Sequence, residues 1–343
     1  MKSATEIIPA PSSPATVSTS AAAVRWKSWL GAASDQLGLL IVLAILIGAF
    51  AATTRHFFSA AEFLTIANQV PATVVTAVGM TYVLVIAGID LSVGSVLALG
   101  GAVVGVLMTR QPAAMGLVPA VIVGLLAGLA CGLVNGLVTV IWSIPSFIVT
   151  LGMLEIARGA THLITDSRTQ YIGSPIAPIA DWLIGGLSLP FLLAILIVII
   201  GQLVLSRTVF GRYMVAIGTN EEAVRLSGID PRPVKIAVFA IAGLLAGFGG
   251  VIDTSRAQAA SPNAAIGLEL DVIAAVVIGG TSLMGGRGSV INSFLGVIII
   301  AVLGAGLAAR GVRDETKRLV TGCVIVLAVI LDYYRHRFAT RRN

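Results

Sequence analysis

The chain has 343 residues, of which 57% are apolar and only 11% charged, with a formal net charge of +6. Soluble domains carry roughly a quarter charged residues, so this composition excludes a secreted enzyme, a nucleic-acid binder and a disordered chain. Mean hydropathy is +0.99 and the sequence pI about 9.7. The basic residues lie between apolar runs, which is the pattern of an all-α polytopic membrane protein rather than of a nucleic-acid surface.

A hydrocarbon core of about 30 Å needs about 20 apolar residues as helix. Residues 1–34 are rich in Ala, Ser, Thr and Pro, with no apolar block before Leu37, and read as a flexible tail rather than a signal peptide. Leu37 to Ala52 is a first span, and the 27 uncharged residues between Glu62 and Asp90, Pro71 among them, are a second. Asp90 to Arg110 encloses 19 residues, a third span. The 44 residues between Arg110 and Glu155 must be two spans, broken at Ser143-Ile144-Pro145-Ser146, so the fifth runs from about Pro145 to His162. Residues 165–187 are polar, with two prolines, and predict a loop before a sixth span from Phe191 to Leu205. Residues 206–235, with five basic and three acidic residues, hold no span, and Ile236 to Ile252 is the seventh.

Asp271 to Arg287 encloses only 15 residues and Arg318 to Asp332 only 13, which predicts tilted, extended or partly re-entrant segments. Gly288 to Ala309 lies comfortably between them, for about ten membrane helices in all. The domain is expected to span 35–334, with 335–343 as a short basic tail. With an even count both termini share a side. That side collects 13 Lys/Arg against 9 on the other, which predicts cytoplasmic termini.

The chain holds 38 glycines. Gly124, Gly128, Gly132 and Gly136 recur every four residues along the fourth span, Gly101 and Gly105 in the third and Gly243 and Gly247 in the seventh, which predicts close helix packing. Polar side chains sit in or near the apolar runs: Asn68, Gln69, Thr73, Asp90, Ser92, Asn135, Thr150, Glu155, Arg158, Gln202 and Asn292. Such groups face the bundle interior or a watery path, and neutral amides and hydroxyls suit an uncharged, hydroxyl-rich solute. Asn68, Thr73, Ser92 and Asn135 are the expected lining of that path. Glu155 and Arg158, three apart, predict an ion pair. Cys131 and Cys323 read as small packing residues, and His56, His162 and His336 are too scattered for a metal cluster. No catalytic constellation and no phosphate-binding Gly-x-x-x-x-Gly-Lys-Ser/Thr loop occurs, so neither enzymatic activity nor a cofactor of its own is expected.

The central segment contains Gly218-Thr219-Asn220-Glu221-Glu222-Ala223-Val224-Arg225-Leu226-Ser227-Gly228-Ile229. Asn220 suits an N-cap, the glutamates a first turn and Gly228 a C-terminal cap. A helix of about two turns is predicted, with Ala223, Val224 and Leu226 exposed. So short a helix is marginal alone, so it is held against its own bundle or a partner.

This segment resembles the cytoplasmic coupling segment of permease subunits of ribose-type monosaccharide ABC importers. Three further stretches are similar to that family: Gly88-Ile89-Asp90-Leu91-Ser92-Val93-Gly94-Ser95, Ile144-Pro145-Ser146-Phe147-Ile148-Val149-Thr150-Leu151-Gly152, and Gly279-Gly280-Thr281-Ser282-Leu283-Met284-Gly285-Gly286-Arg287-Gly288-Ser289. They cover residues 88–289 in order. Thr219 stands where the family has Gly, and Val224 where it has Ala. The resemblance implies a fold with helices two to five and seven to ten as inverted halves, although identity between the halves is faint here. It implies coupling through Gly218, Asn220, Glu221, Ala223, Arg225, Leu226 and Gly228. It also implies as partners a second permease subunit, cytoplasmic subunits that use ATP, and a periplasmic sugar-binding protein. A branched-chain amino-acid permease is the nearest rival; a proton-coupled carrier is a more distant one, with Asp90 and Glu155 as its possible carboxylates.

Overall fold

The computed structural model describes residues 21–54, 57–110, 114–313, 315–324, 326, 327 and 330, with backbone alone for 21–35. The basic tail 335–343 and residues 1–20 lie outside the described residues. The chain divides into two units, Met1–Gly38 and Leu39–Asn343. In the first, the chain is helical from Ala21, where the sequence predicts a flexible tail as far as residue 34.

Among the described residues, twelve helices follow one another: α1 (Ala21–Thr53), α2 (Ala60–Gln69), α3 (Pro71–Val85), α4 (Val93–Thr109), α5 (Leu117–Ile141), α6 (Ser146–Ile164), α7 (Ala177–Asp181), α8 (Leu189–Arg207), α9 (Val209–Leu226), α10 (Arg232–Ala257), α11 (Leu268–Ile278) and α12 (Val290–Ala309). Residues 315–324 are helical again. Local chemistry sets many of the starts. Ser59 caps α2 by accepting from the Glu62 N–H, with Glu62 in the first turn. Pro71 opens α3, where its missing N–H is no loss but α2 cannot run on, and the two helices meet at a 52° bend. Ser188, Thr208 and Ser289 cap α8, α9 and α12 in the same way as Ser59.

Of these helices, α1 (from Gln36), α5, α6, α8, α10 and α12 are long and apolar enough to cross a membrane, which makes six among the described residues, or seven if the bent α2–α3 pair counts as one span. This is a multi-pass all-α membrane protein. The 17-residue α4 is shorter, and the 11-residue α11 rises only about 16 Å. The short eighth segment of the sequence is an 11-residue helix followed by a turn, with Gly280, Gly285 and Gly286 all at positive φ.

In the second unit α3 is buried nearly all round and α10 packs on α3, α4 and α5. The four-residue glycine ladder of α5 lies on α10. A Cβ on Gly132 would meet the Gly243 Cα at 3.0 Å, and one on Gly128 would meet the Gly247 Cα at 2.9 Å. The two backbones are in contact, which only glycine permits.

The segment 165–187 is more than a loop. β1 (Gln170–Tyr171) pairs antiparallel with β4 (Ala259–Ala260), just after α10. β2 (Leu183–Ile184) and β3 (Leu187–Ser188) form a hairpin about Gly185 and Gly186, both at positive φ. Ile172, Ile176 and Ile179 pack with Val104, Leu117 and Ala120, so this segment covers the end of α4 and the start of α5.

The central segment also differs from expectation. Residues 209–219 are helical, where the sequence predicts no element until Asn220. Gly211 and Gly218 weaken the helical pattern, but Phe210, Met214 and Ile217 recur on one face and pack into the core.

Candidate functional site

At Asn220 the backbone of α9 leaves the helix (φ −162°, ψ 96°) and restarts. The Asn220 side chain accepts the Ala223 N–H at 2.9 Å, the N-cap that its position predicts. The segment ends at Ser227 and at Gly228, whose φ of +81° is the left-handed geometry of a helix end, with the Ile229 N–H donating to the Val224 carbonyl at 3.3 Å. Ala223, Arg225 and Leu226 are exposed, but Val224 is buried, which corrects the expectation of exposure: with Ile217 it forms the face that holds this short helix on the bundle. Glu221 reaches Lys235 at 2.9 Å, in the first turn of α10. Arg225 pairs with Glu222, at 3.5 Å and in the open.

The four sequence segments meet at this point. Gly218 has no room for a side chain, because a Cβ would strike the Val85 carbonyl and come within 2.6 Å of the Gly286 nitrogen. The Gly286 N–H in turn donates to the Val85 carbonyl at 2.9 Å. A backbone joint thus links the end of α3, the central segment and the glycine-rich turn before α12. The stretch Gly88–Ser92 is pinned from α6: the Ile89 N–H donates to Ser146 Oγ (2.9 Å), the Leu91 N–H to Thr150 Oγ1 (3.1 Å), and Thr150 Oγ1 to the Ile89 carbonyl (3.2 Å). Ala87, Gly88, Ser143, Ser146, Gly218–Glu221 and Lys235 line a cavity of about 840 Å³. Arg225, Arg232 and Asp230 also border it, so cations outnumber anions at its rim.

Above the cavity runs a buried polar thread. One Asp90 oxygen accepts both the Ser92 N–H (2.9 Å) and the Ser92 hydroxyl (2.6 Å), and Asn135 Nδ2 donates to Ser92 Oγ at 3.0 Å. Asp90, Ser92 and Asn135 are each 1% exposed. The thread stops short: Asn135 Oδ1 and, one turn on, Thr139 Oγ1 are buried without a partner among the described residues. A buried polar atom left so costs about 1–3 kcal/mol. Thr139, on the cavity wall, is a site residue that sequence reading missed.

Several of the other polar residues make structural hydrogen bonds. Asn68 holds the β2–β3 hairpin, donating to the Gly186 carbonyl (3.0 Å) and accepting the Ser188 N–H (2.8 Å). Thr73 is half-buried near the start of α3. Arg158 does not pair with Glu155; its guanidinium donates to the Pro262 and Ala264 carbonyls at 2.9 and 2.8 Å, non-helical groups that need donors. Gln202 Oε1 accepts from the Val290 N–H at 2.8 Å, which fastens the start of α12 to α8. Among the described residues no group of three His, Cys, Asp or Glu side chains could hold a metal ion.

Comparison with known proteins places the chain. A family model described as "Branched-chain amino acid transport system / permease component" matches residues 62–329. The chain belongs to this permease family. It is 38% identical to the ribose import permease protein of Haemophilus influenzae over 299 residues, 86% of this chain and 92% of that protein. To the ribose import permease protein of Bacillus subtilis it is 38% identical over 307 residues, 87% of this chain and 92% of that one. To the L-arabinose ABC transporter permease protein of Azospirillum brasilense it is 32% identical over 302 residues, 88% of each chain. No solved structure matches. These relatives are all named as permeases of sugar transport.

Proposed function

We propose that the chain is the membrane-spanning permease subunit of an ATP-driven ABC importer of a monosaccharide, with a pentose such as ribose favoured. The similarity to ribose import permeases along 86–87% of the chain carries this reading. The family description names branched-chain amino acids, but the relatives compared above are sugar permeases. In this assembly two permease subunits form the pore, cytoplasmic subunits bind and hydrolyse ATP, and a periplasmic binding protein delivers the sugar.

The short helix after Asn220 is the coupling element, with Gly218, Asn220, Glu221, Ala223, Arg225, Leu226 and Gly228 as its working residues. Two features support this role: its outer face is exposed, and the joint with Val85 and Gly286 connects it to the bundle interior. The translocation path passes Ser92 and Asn135, with Asn68 and Thr73 nearer the other end. Both termini are cytoplasmic, the segment 165–187 is periplasmic, and the membrane is the bacterial inner membrane.

Ten membrane helices with inverted halves fit the element order. Gly88-Ile89-Asp90-Leu91-Ser92-Val93 and Gly267-Leu268-Glu269-Leu270-Asp271-Val272 share one pattern; the first leads into α4 at Val93, and the second enters α11 at Leu268. Gly88 borders the cavity beside the coupling segment, whereas the chain before Gly267 pairs with β1 in the 165–187 segment, as two inverted copies would. Ribose uptake by cells lacking their own ribose permease tests the function. Expression of this chain with its partner subunits should restore uptake; uptake of branched-chain amino acids instead would overturn the sugar reading.

A further inference from the structure

The unpartnered atoms of α5 call for an explanation, since buried polar side chains are nearly always hydrogen-bonded. Several helical threonines share one habit. The hydroxyls of Thr76, Thr81, Thr109 and Thr161 each donate to the carbonyl four residues earlier, at 2.6–2.8 Å. This local bond is the ordinary way to satisfy a threonine in an apolar helix. Thr139 does not make it. Its hydroxyl is buried with no partner, in a residue that lines the cavity at 6% exposure. Asn135, four residues earlier on the same face, has its amide nitrogen committed to Ser92 and its oxygen free.

Two unsatisfied groups therefore stand one turn apart on α5, Thr139 on the lining of a cavity of about 840 Å³ and Asn135 buried behind it. One can donate or accept and the other accepts. Neither carries charge, which suits a neutral ligand with several hydroxyls. Phe239, also on the cavity lining, packs against Gly136 between these two turns of α5 and adds an apolar surface beside them.

We propose that Asn135 Oδ1 and Thr139 Oγ1 form a hydroxyl-binding subsite for the sugar on the coupling side of the path, where the solute makes its last contacts before release. The inference rests on the function proposed above and assigns it a site. With only two neutral groups, binding is weak, as release requires.

The test uses the assembled importer in proteoliposomes, with Thr139→Val, which keeps the shape and removes the hydroxyl, and Thr139→Ser, which keeps the hydroxyl. Loss of one neutral hydrogen bond corresponds to about three- to tenfold. Thr139→Val should slow maximal ribose uptake by that factor, and Thr139→Ser should restore it. The ratio of ribose uptake to uptake of a deoxyribose should also fall in Thr139→Val, a change that a purely structural role would not produce. Equal uptake and an equal ratio in Thr139→Val, with a working wild type, would overturn the subsite alone. A wild-type complex that moves no sugar would overturn the subsite and the function together.

Discussion

Glu221 Oε2 lies 2.9 Å from Lys235 Nζ, joining the short helix after Asn220 to the first turn of α10. Both groups are partly exposed, so the pair contributes roughly 0.2–1 kcal/mol to stability. Its position matters more, because α10 runs through the core against α3, α4 and α5. Glu221→Gln and Lys235→Met should each lower ATP-driven sugar uptake severalfold, with membrane insertion unchanged. The reversed pair Glu221→Lys with Lys235→Glu should recover part of the loss. Wild-type uptake in both single variants would remove this pair from the coupling route.

Thr150 is fully buried and serves two backbone groups of the Gly88–Ser92 stretch at once. Thr150→Val leaves the Leu91 N–H without its acceptor, at a cost of about 1–3 kcal/mol. Thr150→Ser keeps the hydroxyl and should cost less. Thermal unfolding of the detergent-solubilised protein should rank wild type, Thr150→Ser and Thr150→Val in descending order. The reverse order for the two variants would show that the methyl group, not the hydroxyl, holds the stretch.

The glycine seam separates glycines needed for contact from glycines that are free. Gly128→Leu and Gly132→Leu would drive side chains into the α10 backbone and should abolish the folded, monodisperse protein in detergent. Gly152 and Gly159 on α6 have nothing within 4 Å of the point where an alanine methyl would sit, so Gly152→Ala and Gly159→Ala should fold normally. Size-exclusion profiles would check this, and a normal profile for Gly132→Leu would contradict the seam.

Topology can be read from two of the most exposed positions. Tyr171 and Leu226 are both 81% exposed, the first in the 165–187 segment and the second on the short helix. In whole cells an impermeant thiol reagent should label Tyr171→Cys and spare Leu226→Cys, with the native cysteines replaced by alanine. Labelling of Leu226→Cys alone would invert the orientation.

Much of this architecture is legible in the sequence because it rests on local chemistry. Asn220 and Gly228 mark the ends of the short helix because capping depends on a residue and its near neighbours. The uncharged run from Val272 to Gly286 is short because α11 has only 11 residues before the glycine-rich turn. The failures are long-range. Nothing in the neighbourhood of Val224 announces that it is buried, nor that Arg158 would turn from Glu155 to the Pro262 carbonyl. Thr139 is invisible to sequence reading because threonine in an apolar helix ordinarily spends its hydroxyl on its own backbone, and only the three-dimensional hydrogen-bond pattern reveals the exception. The backbone joint of Val85, Gly218 and Gly286 is equally hidden, since its partners are main-chain atoms far apart in sequence.

Transport by the purified importer tests the central claim most directly. Proteoliposomes would carry this chain with its ATP-binding subunits, with ATP inside the nucleotide-facing compartment and the sugar-loaded binding protein on the opposite side. Labelled ribose should cross only when ATP and the binding protein are both present, and omission of either should reduce uptake to the level of empty liposomes. Ribose accumulation by this chain alone, driven by a proton gradient without ATP-binding subunits, would contradict the account and identify a secondary carrier.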